Sequence, residues 1–258
     1  MSERAVQEYV TAVILAGGKG TRISHLLGDL PKPMAPVAGL PFLEWVLRFL
    51  VKQGVRRAVI STGHRAEAIE THFANWRGGM ELIFAREQEL LGTAGGFLNA
   101  AGMAPREWNA QAWLVLNGDS LVVGDWSPLF EASRKDAVDG AILAVDVPDA
   151  SRFGTLECAS DMRLRRFAEK RPGRGLINGG VYLLHERLRK HFSSRRPLSF
   201  ETDVFPELLE RHRIQAVPVM GDFLDIGVPE TLDQADAFVR SHRDWFGSEI
   251  PAITNPRV

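Results

Sequence analysis

The chain has 258 residues, of which 45% are hydrophobic and 24% charged, and its formal net charge at pH 7 is −1. This length suits one large α/β domain and is too short for a second full domain. The balanced charge gives no sign of a nucleic-acid or membrane partner, and no run approaches the roughly 20 apolar residues of a membrane span. Since the N-terminus also lacks the apolar segment of a signal peptide, we expect a cytoplasmic protein.

A short apolar run near the N-terminus predicts a buried parallel strand that ends in a flexible loop. The run is Ala12–Ala16, and the glycine-rich stretch GGKGTR follows at Gly17–Arg22. In open α/β sheets ligands bind beyond the carboxyl ends of strands, and glycines allow backbone N–H groups to close around phosphate oxygens. The loop is therefore interpreted as a phosphate-binding loop.

Two cations accompany this loop. Arg22 lies within it, and Lys32 stands between two prolines, which restrict the backbone on both sides of the lysine. The glycine spacing fits neither the dinucleotide fingerprint GxGxxG nor the P-loop GxxxxGK[ST], which disfavours a Rossmann oxidoreductase. The alternative without function is a glycine turn whose two cations are only solvated.

The next hundred residues alternate between helical and strand patterns, which is typical of a parallel, doubly wound sheet. Gly54 is expected to end the first long helix. The predicted helices are Pro41–Val55, Ala66–Trp76 and Ala94–Met103, and the predicted strands are Arg57–Thr62, Met80–Ala85 and Trp113–Asn117.

The second half has shorter strands separated by turn signals, so the sheet is expected to become mixed and to gain a hairpin. The predicted strands are Gly140–Val147, Thr155–Ser160, Leu164–Ala168, Leu176–Leu184, Ile214–Val219 and Phe223–Ile226. Helices are predicted over Phe200–His212 and Pro229–Ser241. The tail Trp245–Val258 is expected to be a surface extension or a partner contact. Cys158, the only cysteine, rules out an intrachain disulfide and is interpreted as a small buried hydrophobe.

The pattern GG-x-GTR followed by PKP resembles the signature of the sugar-1-phosphate nucleotidyltransferases. The resemblance runs from about Val10 to Ala237, and the segments LGTAGG, PDASRFGT, LINGGVYLL and DIGVPE look most like the D-glycero-α-D-manno-heptose 1-phosphate guanylyltransferases. It implies a Rossmann-like, doubly wound mixed sheet of the nucleotide-diphospho-sugar transferase (GT-A-like) type in a single domain, residues 1–243. A nucleotide-binding half would cover about 10–130 and a sugar-phosphate-binding half about 131–243, with a C-terminal extension at 244–258. Hexapeptide repeats are absent, so no fused β-helix is expected.

The reaction that the resemblance implies joins two anions, so it calls for cations and a metal. The planar fork of Arg22 suits the β- and γ-phosphates, while the point charge of Lys32 suits the α-phosphate, and the resemblance implies the same two catalytic roles. Magnesium prefers carboxylate and phosphate oxygens. By resemblance Asp119 and Asp225 would hold Mg²⁺ from opposite sides of the sheet, although a single Asp after a strand is more often a turn residue.

The nucleotide base is assigned to the segment EQELLGTAGG. A carboxylate accepts from both the N1–H and the amino group of guanine, so Glu87 is the candidate for base selection, against the alternative of a solvated charge. Gly92 would allow the backbone to approach a flat base. The remaining candidates for nucleotide binding are Leu15, Ala16, Gly17, Gly18, Gly20, Thr21, Asn117 and Gly118.

The sugar phosphate is assigned to the second half. Glu169 and Lys170 resemble an E-K motif that contacts sugar hydroxyl and phosphate groups. Asn178 interrupts an apolar strand, and a buried polar side chain needs a partner such as a sugar hydroxyl. Glu201 lies in a segment that caps a helix and is the better sugar contact there. The remaining candidates are Gly154 and Gly179.

The predicted partners are therefore GTP and a sugar 1-phosphate, with Mg²⁺ as cofactor, no nucleic acid and no membrane, and a homo-oligomer as a further option. Three alternatives remain open: transfer to mannose 1-phosphate, uridylyl transfer to another sugar 1-phosphate, and a non-catalytic nucleotide-sugar sensor of the same fold. His25, His64 and His72 lack metal-ligand spacing and are interpreted as structural or solvated.

Overall fold

The computed structural model of the protein describes residues 9–168, 170 and 172–247. Its strands, numbered in chain order, are β1 (Val10–Ala16), β2 (Pro36–Val37), β3 (Leu40–Pro41), β4 (Arg57–Thr62), β5 (Glu81–Arg86), β6 (Ala112–Asn117), β7 (Ser120–Gly124), β8 (Gly140–Val147), β9 (Thr155–Cys158), β10 (Leu164–Ala168), β11 (Gly175–His185), β12 (Ile214–Pro218) and β13 (Gly221–Asp225). Nine of them form the central sheet.

The α-helices of the described residues flank this sheet. They are α1 (Ser24–Leu27), α2 (Phe42–Lys52), α3 (Ala66–Phe73), α4 (Thr93–Met103), α5 (Ser127–Ser133), α6 (Phe205–Arg211) and α7 (Pro229–Ser241). The apolar side of α2 is buried, and the helix ends where the Gly54 N–H donates to the Val51 carbonyl, as the glycine predicted. Proline fits the first position of α7 because its missing N–H has no partner there in any case.

Four parallel strands lie side by side in the order β5, β4, β1, β6. The chain therefore winds outward in one direction from β1 through β4 to β5 and then crosses to β6 on the other side of β1. Such a reversal leaves a crevice at the carboxyl ends of the two strands that flank it. The parallel half of the sheet is as predicted, and it positions the glycine-rich loop after β1 beside the end of β6.

The second half makes the sheet mixed, as predicted. Strand β11 runs antiparallel to both β6 and β8, and β12 runs parallel to β8. Strands β9 and β10 form the expected hairpin, and β9 pairs with β11 through Ile177 and Thr155. Helix α6 is shorter than predicted, because Phe200–Val204 forms a turn of π-helix before it.

Strand β7 and helix α5 were not predicted from the sequence. Strand β7 forms a separate antiparallel ribbon with β13, in which Ser120 pairs with Asp225. This pairing corrects one expectation: Asp119 and Asp225 lie at the same end of one ribbon, not on opposite sides of the sheet. The Ile226 N–H donates to the Asp119 carbonyl at 3.1 Å and closes that end.

The expectation of a surface tail is wrong at its first residues. Phe246 is 3% exposed and contacts the rings of Trp45 and Phe49 at centroid distances of 5.4 and 6.3 Å. The start of the tail thus closes the core over α2, while residues 248–258 lie outside the described part of the chain. In the part that is described, no helix is both long and apolar enough to cross a membrane.

Candidate active site

A cleft of about 400 Å³ opens at the carboxyl ends of β1 and β6, where the sheet topology leaves its crevice. Most of the residues assigned to nucleotide and catalysis line it, although they come from four separate segments of the chain. The predicted residues in its lining are Leu15, Ala16, Gly17, Gly18, Gly20, Thr21, Arg22, Lys32, Glu87, Gly92, Asn117 and Asp119.

The glycine-rich loop folds back onto the segment that carries Lys32. Gly20 has φ = +57°, and a Cβ at this position would lie 2.8 Å from Lys32 Cβ. Any side chain would therefore be strained and would displace the lysine, which is the physical reason for a glycine here. Arg22 is exposed at the mouth of the cleft and forms no ion pair with any described residue, so its guanidinium is available to an anion.

Lys32 is buried, and its ammonium lies between two carboxylates. Its Nζ is 2.7 Å from Asp119 Oδ2 and 3.5 Å from Asp225 Oδ1. Lys32 is 8% exposed, whereas Asp119, which lines the cleft, is 37% exposed and Asp225, which is not in the lining, is 23% exposed. The short 3₁₀ helix Lys32–Met34, begun by Pro31 in extended conformation, fixes the lysine backbone. Residues separated by 193 positions thus converge on one positive charge.

The arrangement of Asp119 and Asp225 also suits a divalent cation. Two hard oxygen donors face one point and already share one cation, the ammonium of Lys32, so their charge suits Mg²⁺. Among the described residues no three or more His, Cys, Asp or Glu side chains form a metal cage. Two carboxylates are enough for an ion whose remaining ligands are phosphate oxygens and water. Magnesium is usually coordinated in this way in phosphoryl-transfer sites.

The carboxylate of Glu87 is held rigidly at the back of the cleft. Its Oε1 accepts from the buried Ser61 hydroxyl at 2.8 Å, and its Oε2 accepts from the Leu91 N–H at 3.4 Å. A Cβ on Gly17 or Gly96 would lie 2.9 or 2.7 Å from Oε1, so both glycines make room for this carboxylate. A fixed acceptor at the wall of the cleft is what recognition of a base edge needs.

Gly92 has a structural explanation that the sequence did not suggest. A Cβ there would lie 2.5 Å from the Leu198 carbonyl oxygen, so its backbone approaches another chain segment. The Leu198 N–H donates to the Leu91 carbonyl, and the Leu198 carbonyl accepts from the Ala94 N–H at 2.9 Å. The segment that carries Glu87 is therefore joined to the one that leads to Glu201.

Gly118 and the sugar candidates that the structure describes lie outside the lining of the cleft. The Gly118 N–H donates to the Leu15 carbonyl at 2.9 Å and joins the ends of β1 and β6. The Gly154 carbonyl accepts from the Asn178 N–H at 3.4 Å, so these two residues are adjacent. A Cβ on Gly179 would lie 3.1 Å from both the Leu143 carbonyl and Val122 Cγ2, so this glycine permits close packing of β11 on its neighbours.

The two candidates of the E-K motif differ in what can be said of them. Lys170 is exposed and is not among the residues that line the cleft. Glu169 lies outside the described residues. Asn178 and Glu201, by contrast, are connected through the buried Tyr182, with 2.8 Å from Asn178 Nδ2 to the phenolic oxygen and 2.8 Å from that oxygen to Glu201 Oε1.

A sequence model of the family described as nucleotidyl transferase matches residues 11–242, which include every residue that lines the cleft and every strand except the first residue of β1. The chain belongs to the nucleotidyl transferase family. Its fold class, a doubly wound mixed sheet of the GT-A-like type, is therefore confirmed.

Relatives with more specific names support this membership. The D-glycero-α-D-manno-heptose 1-phosphate guanylyltransferase of Aneurinibacillus thermoaerophilus is 33% identical over 87% of this chain and 96% of its own. The mannose-1-phosphate guanylyltransferase of Mycobacterium tuberculosis is 32% identical over 94% of this chain and 66% of its own. The solved structure of HddC from Yersinia pseudotuberculosis complexed with GMP-PN has a TM-score of 0.77 and 33% identity, and the match covers 88% of this chain and 98% of that one.

Several residues of the site in this nucleotidyl transferase were not predicted from the sequence. Pro33, Leu90, Thr93 and Gly227 also line the cleft. Pro33 and Gly227 belong to the motifs PKP and DIG, whose charged residues Lys32 and Asp225 were predicted. Leu90 lies between Glu87 and helix α4, and Thr93 is the first residue of that helix, so their segment was identified although they were not. Ser61 and Tyr182 are buried in strands, where apolar periodicity gives no signal of a polar contact.

The lone cysteine and the histidines take no part in the cleft of this nucleotidyl transferase. Cys158 is half-buried, and burial raises the pKa of its thiol, which suits a packing role. His72 Nε2 lies 3.3 Å from Glu44 Oε2, whereas His25 and His64 are exposed.

Proposed function

We propose that this nucleotidyl transferase transfers GMP from GTP to D-glycero-α-D-manno-heptose 1-phosphate, releasing pyrophosphate and forming GDP-heptose. A phosphate oxygen of the sugar 1-phosphate attacks the α-phosphorus of GTP, and the bond from that phosphorus to the β-phosphate bridging oxygen breaks. The observation that carries the proposal is the buried Lys32 ammonium held between Asp119 and Asp225 beside a glycine-rich loop. The guanylyltransferase names of the relatives support the base and the acceptor class.

The triphosphate is assigned to the loop after β1. Backbone N–H groups of Gly17, Gly18 and Gly20 would surround its oxygens, and Arg22 at the mouth would bind the β- and γ-phosphates with two parallel donors. Lys32 would stabilise charge that develops on the α-phosphoryl oxygens. A preorganised donor of this kind contributes on the order of 10²–10³ in rate.

The carboxylates of Asp119 and Asp225 are the residues that would hold Mg²⁺. When bound, the ion would neutralise charge on the phosphate oxygens and on the departing pyrophosphate. The two side chains need little rearrangement for this, because both already face one cation.

The guanine base is assigned to Glu87 at the wall of the cleft, with Leu15, Ala16, Thr21, Gly92, Asn117 and Gly118 as the surrounding contacts. The rigid hold on the Glu87 carboxylate by Ser61 and Leu91 supports this role. A uridylyltransferase is disfavoured on the same ground, because uracil presents only one N–H donor beside its carbonyl groups.

The acceptor is assigned to the second half, about residues 131–243, and the nucleotide to about 10–130. Gly154, Asn178 and Gly179 lie together at the start of β11, and Glu201 is linked to them through Tyr182. Mannose 1-phosphate remains the second candidate, since a mannose-1-phosphate guanylyltransferase is nearly as similar as the heptose enzyme. Lys170 and Glu169 are proposed as contacts of the incoming phosphate and sugar.

The test is a matrix of GTP, ATP, UTP, CTP and dTTP against heptose, mannose and glucose 1-phosphates, read by released pyrophosphate with and without Mg²⁺. We expect turnover with GTP and the heptose phosphate above all other pairs. Asp119→Asn should lose most of the Mg²⁺-dependent rate, while Asp125→Asn, in an exposed turn, should not. Turnover with no pair would support the non-catalytic sensor, and a preference for UTP would refute the guanine assignment.

A further inference from the structure

A chain of hydrogen bonds runs through the hydroxyl group of Tyr182. The phenolic oxygen accepts from Asn178 Nδ2 and donates to Glu201 Oε1, both at 2.8 Å. The outer ends are also held, because the Gly180 N–H donates to Asn178 Oδ1 at 2.9 Å and the Ser199 hydroxyl donates to Glu201 Oε2 at 3.0 Å. The side chains of Asn178 and Glu201 are thus each held by two hydrogen bonds, one to Tyr182 and one to a neighbouring residue.

The direction of the bonds follows from the chemistry of the groups. A carboxylate only accepts, so the single phenolic proton points to Glu201, and the lone pair left on the Tyr182 oxygen receives the amide of Asn178. Burial, helped by the charge of Glu201, keeps the pKa of Tyr182 well above its usual value, so the proton stays in place. The side-chain amide of Asn178 consequently cannot flip by 180° without losing its two hydrogen bonds, to Tyr182 and to Gly180.

Tyr182 is the rigid member of this chain. It is 1% exposed, belongs to β11, pairs with β6 and β8 on its two sides, and has its ring packed on Phe200 and Phe205 at 5.2 and 5.1 Å. Asn178 and Glu201 are in less regular backbone. Asn178 adjoins an irregularity in the pairing of β11 with β8, and Glu201 lies in the π-helical turn.

Both irregular segments border the cleft. A Cβ on Gly180 would lie 2.8 Å from the side-chain amide nitrogen of Asn117, which lines the cleft. The Phe200 N–H donates to the hydroxyl of Thr93, another lining residue, at 3.0 Å. The network therefore contacts the part of the cleft wall formed by Asn117 and Thr93, where we expect the acceptor to meet the nucleotide.

We propose that Tyr182 is a positioning residue of the acceptor site, which fixes Asn178 and Glu201 relative to one another for recognition of sugar hydroxyls. The inference rests on the proposed function and adds a residue that its motifs do not contain. One free N–H of Asn178 and the remaining lone pairs of Glu201 would supply a donor and acceptors at a set spacing. Polyols are distinguished by the positions of their hydroxyl groups, so this spacing governs acceptor affinity and not nucleotide affinity.

The test compares Tyr182→Phe with Tyr9→Phe. These are the two tyrosines of the chain, and the Tyr9 hydroxyl is also buried but has no hydrogen-bond partner among the described residues, so the control removes an equivalent group. For Tyr182→Phe we expect the KM for heptose 1-phosphate, or for mannose 1-phosphate if that is the better acceptor, to rise about tenfold or more, with the KM for GTP within twofold of wild type. Tyr9→Phe should change neither.

Three further variants separate positioning from a loss of fold. If the tyrosine acts through Glu201, the KM for the acceptor should be no higher in the combined Tyr182→Phe, Glu201→Gln variant than in Glu201→Gln alone. Ser199→Ala, which loosens the other oxygen of Glu201, should give a smaller rise of the same kind and decides the matter if Tyr182→Phe does not fold.

An unchanged acceptor KM, or equal changes in the KM values for GTP and acceptor, would overturn the inference while the proposed function stands. Calorimetric titration of wild type with both sugar 1-phosphates in the presence of GMP distinguishes the other failure. Binding of neither sugar phosphate would overturn the proposed function and this inference together.

Discussion

The change Glu87→Gln provides a sharp test of base selection, because it keeps the size of the side chain and replaces one acceptor oxygen by a donor. Ser61 donates to Oε1 in the native protein, so the glutamine carbonyl would take that position and turn its NH₂ toward the cleft. There the NH₂ would face the N1–H and amino group of guanine, donor against donor.

The size of the effect follows from the contact that is lost. A bidentate contact to a base edge contributes about 1–3 kcal/mol of discrimination, which corresponds to roughly 5- to 150-fold in kcat/KM. We therefore expect Glu87→Gln to lower two ratios of kcat/KM, that of GTP to ATP and that of GTP to ITP, by a factor within this range. ITP lacks only the 2-amino group of guanine and keeps its N1–H, so the GTP/ITP ratio should fall less than the GTP/ATP ratio.

The assay is pyrophosphate release with each nucleotide at saturating sugar 1-phosphate. Glu89→Gln is the matched control, since it makes the same chemical change two residues away on an exposed side chain. Ser61→Ala should lower the GTP/ITP ratio less than Glu87→Gln, while Thr62→Val, which removes a neighbouring buried hydroxyl bonded to Glu70, should leave it unchanged. A Glu87→Gln enzyme with the wild-type GTP/ATP ratio would refute the assignment of Glu87 to the base.

Three other predictions follow from the same structure. Lys32→Ala should reduce kcat on the order of 10²–10³ with a smaller change in GTP binding by calorimetry, whereas Lys52→Ala on the exposed side of α2 should not; equal losses in both quantities would argue against a role at the α-phosphate. Phe246→Ala should lower the free energy of unfolding by about 3–5 kcal/mol in urea titrations, since it empties a site between Trp45 and Phe49; a loss below about 1 kcal/mol would place the ring outside the core. Burial lowers the pKa of His185 from 6.5, so its contribution to stability is present above that pH and is lost as pH falls through the lower pKa of the folded state; His185→Gln should therefore flatten the pH dependence of unfolding below pH 6.5, and an unchanged slope would contradict the shift.

The sequence by itself determined the parallel half of the sheet and the phosphate loop. Ala12–Ala16 is apolar without interruption because β1 is buried on both faces, and the break at Gly17 marks the end of the strand. Lys32 could be assigned because two prolines and a family motif surround it. Such features are local: each depends on residues that are neighbours in the chain, so a pattern of a few positions is sufficient to predict them.

Only the tertiary structure decided which distant groups meet. The ribbon of β7 and β13 brings Asp119 and Asp225 to one ammonium, Ser61 reaches Glu87 from another strand, and Tyr182 joins Asn178 to Glu201. Hydrogen bonds between residues far apart in the chain depend on how strands are ordered and in which register they pair. Since a buried serine or tyrosine in a strand has no periodicity of its own, its partner becomes known only when the strands are in place.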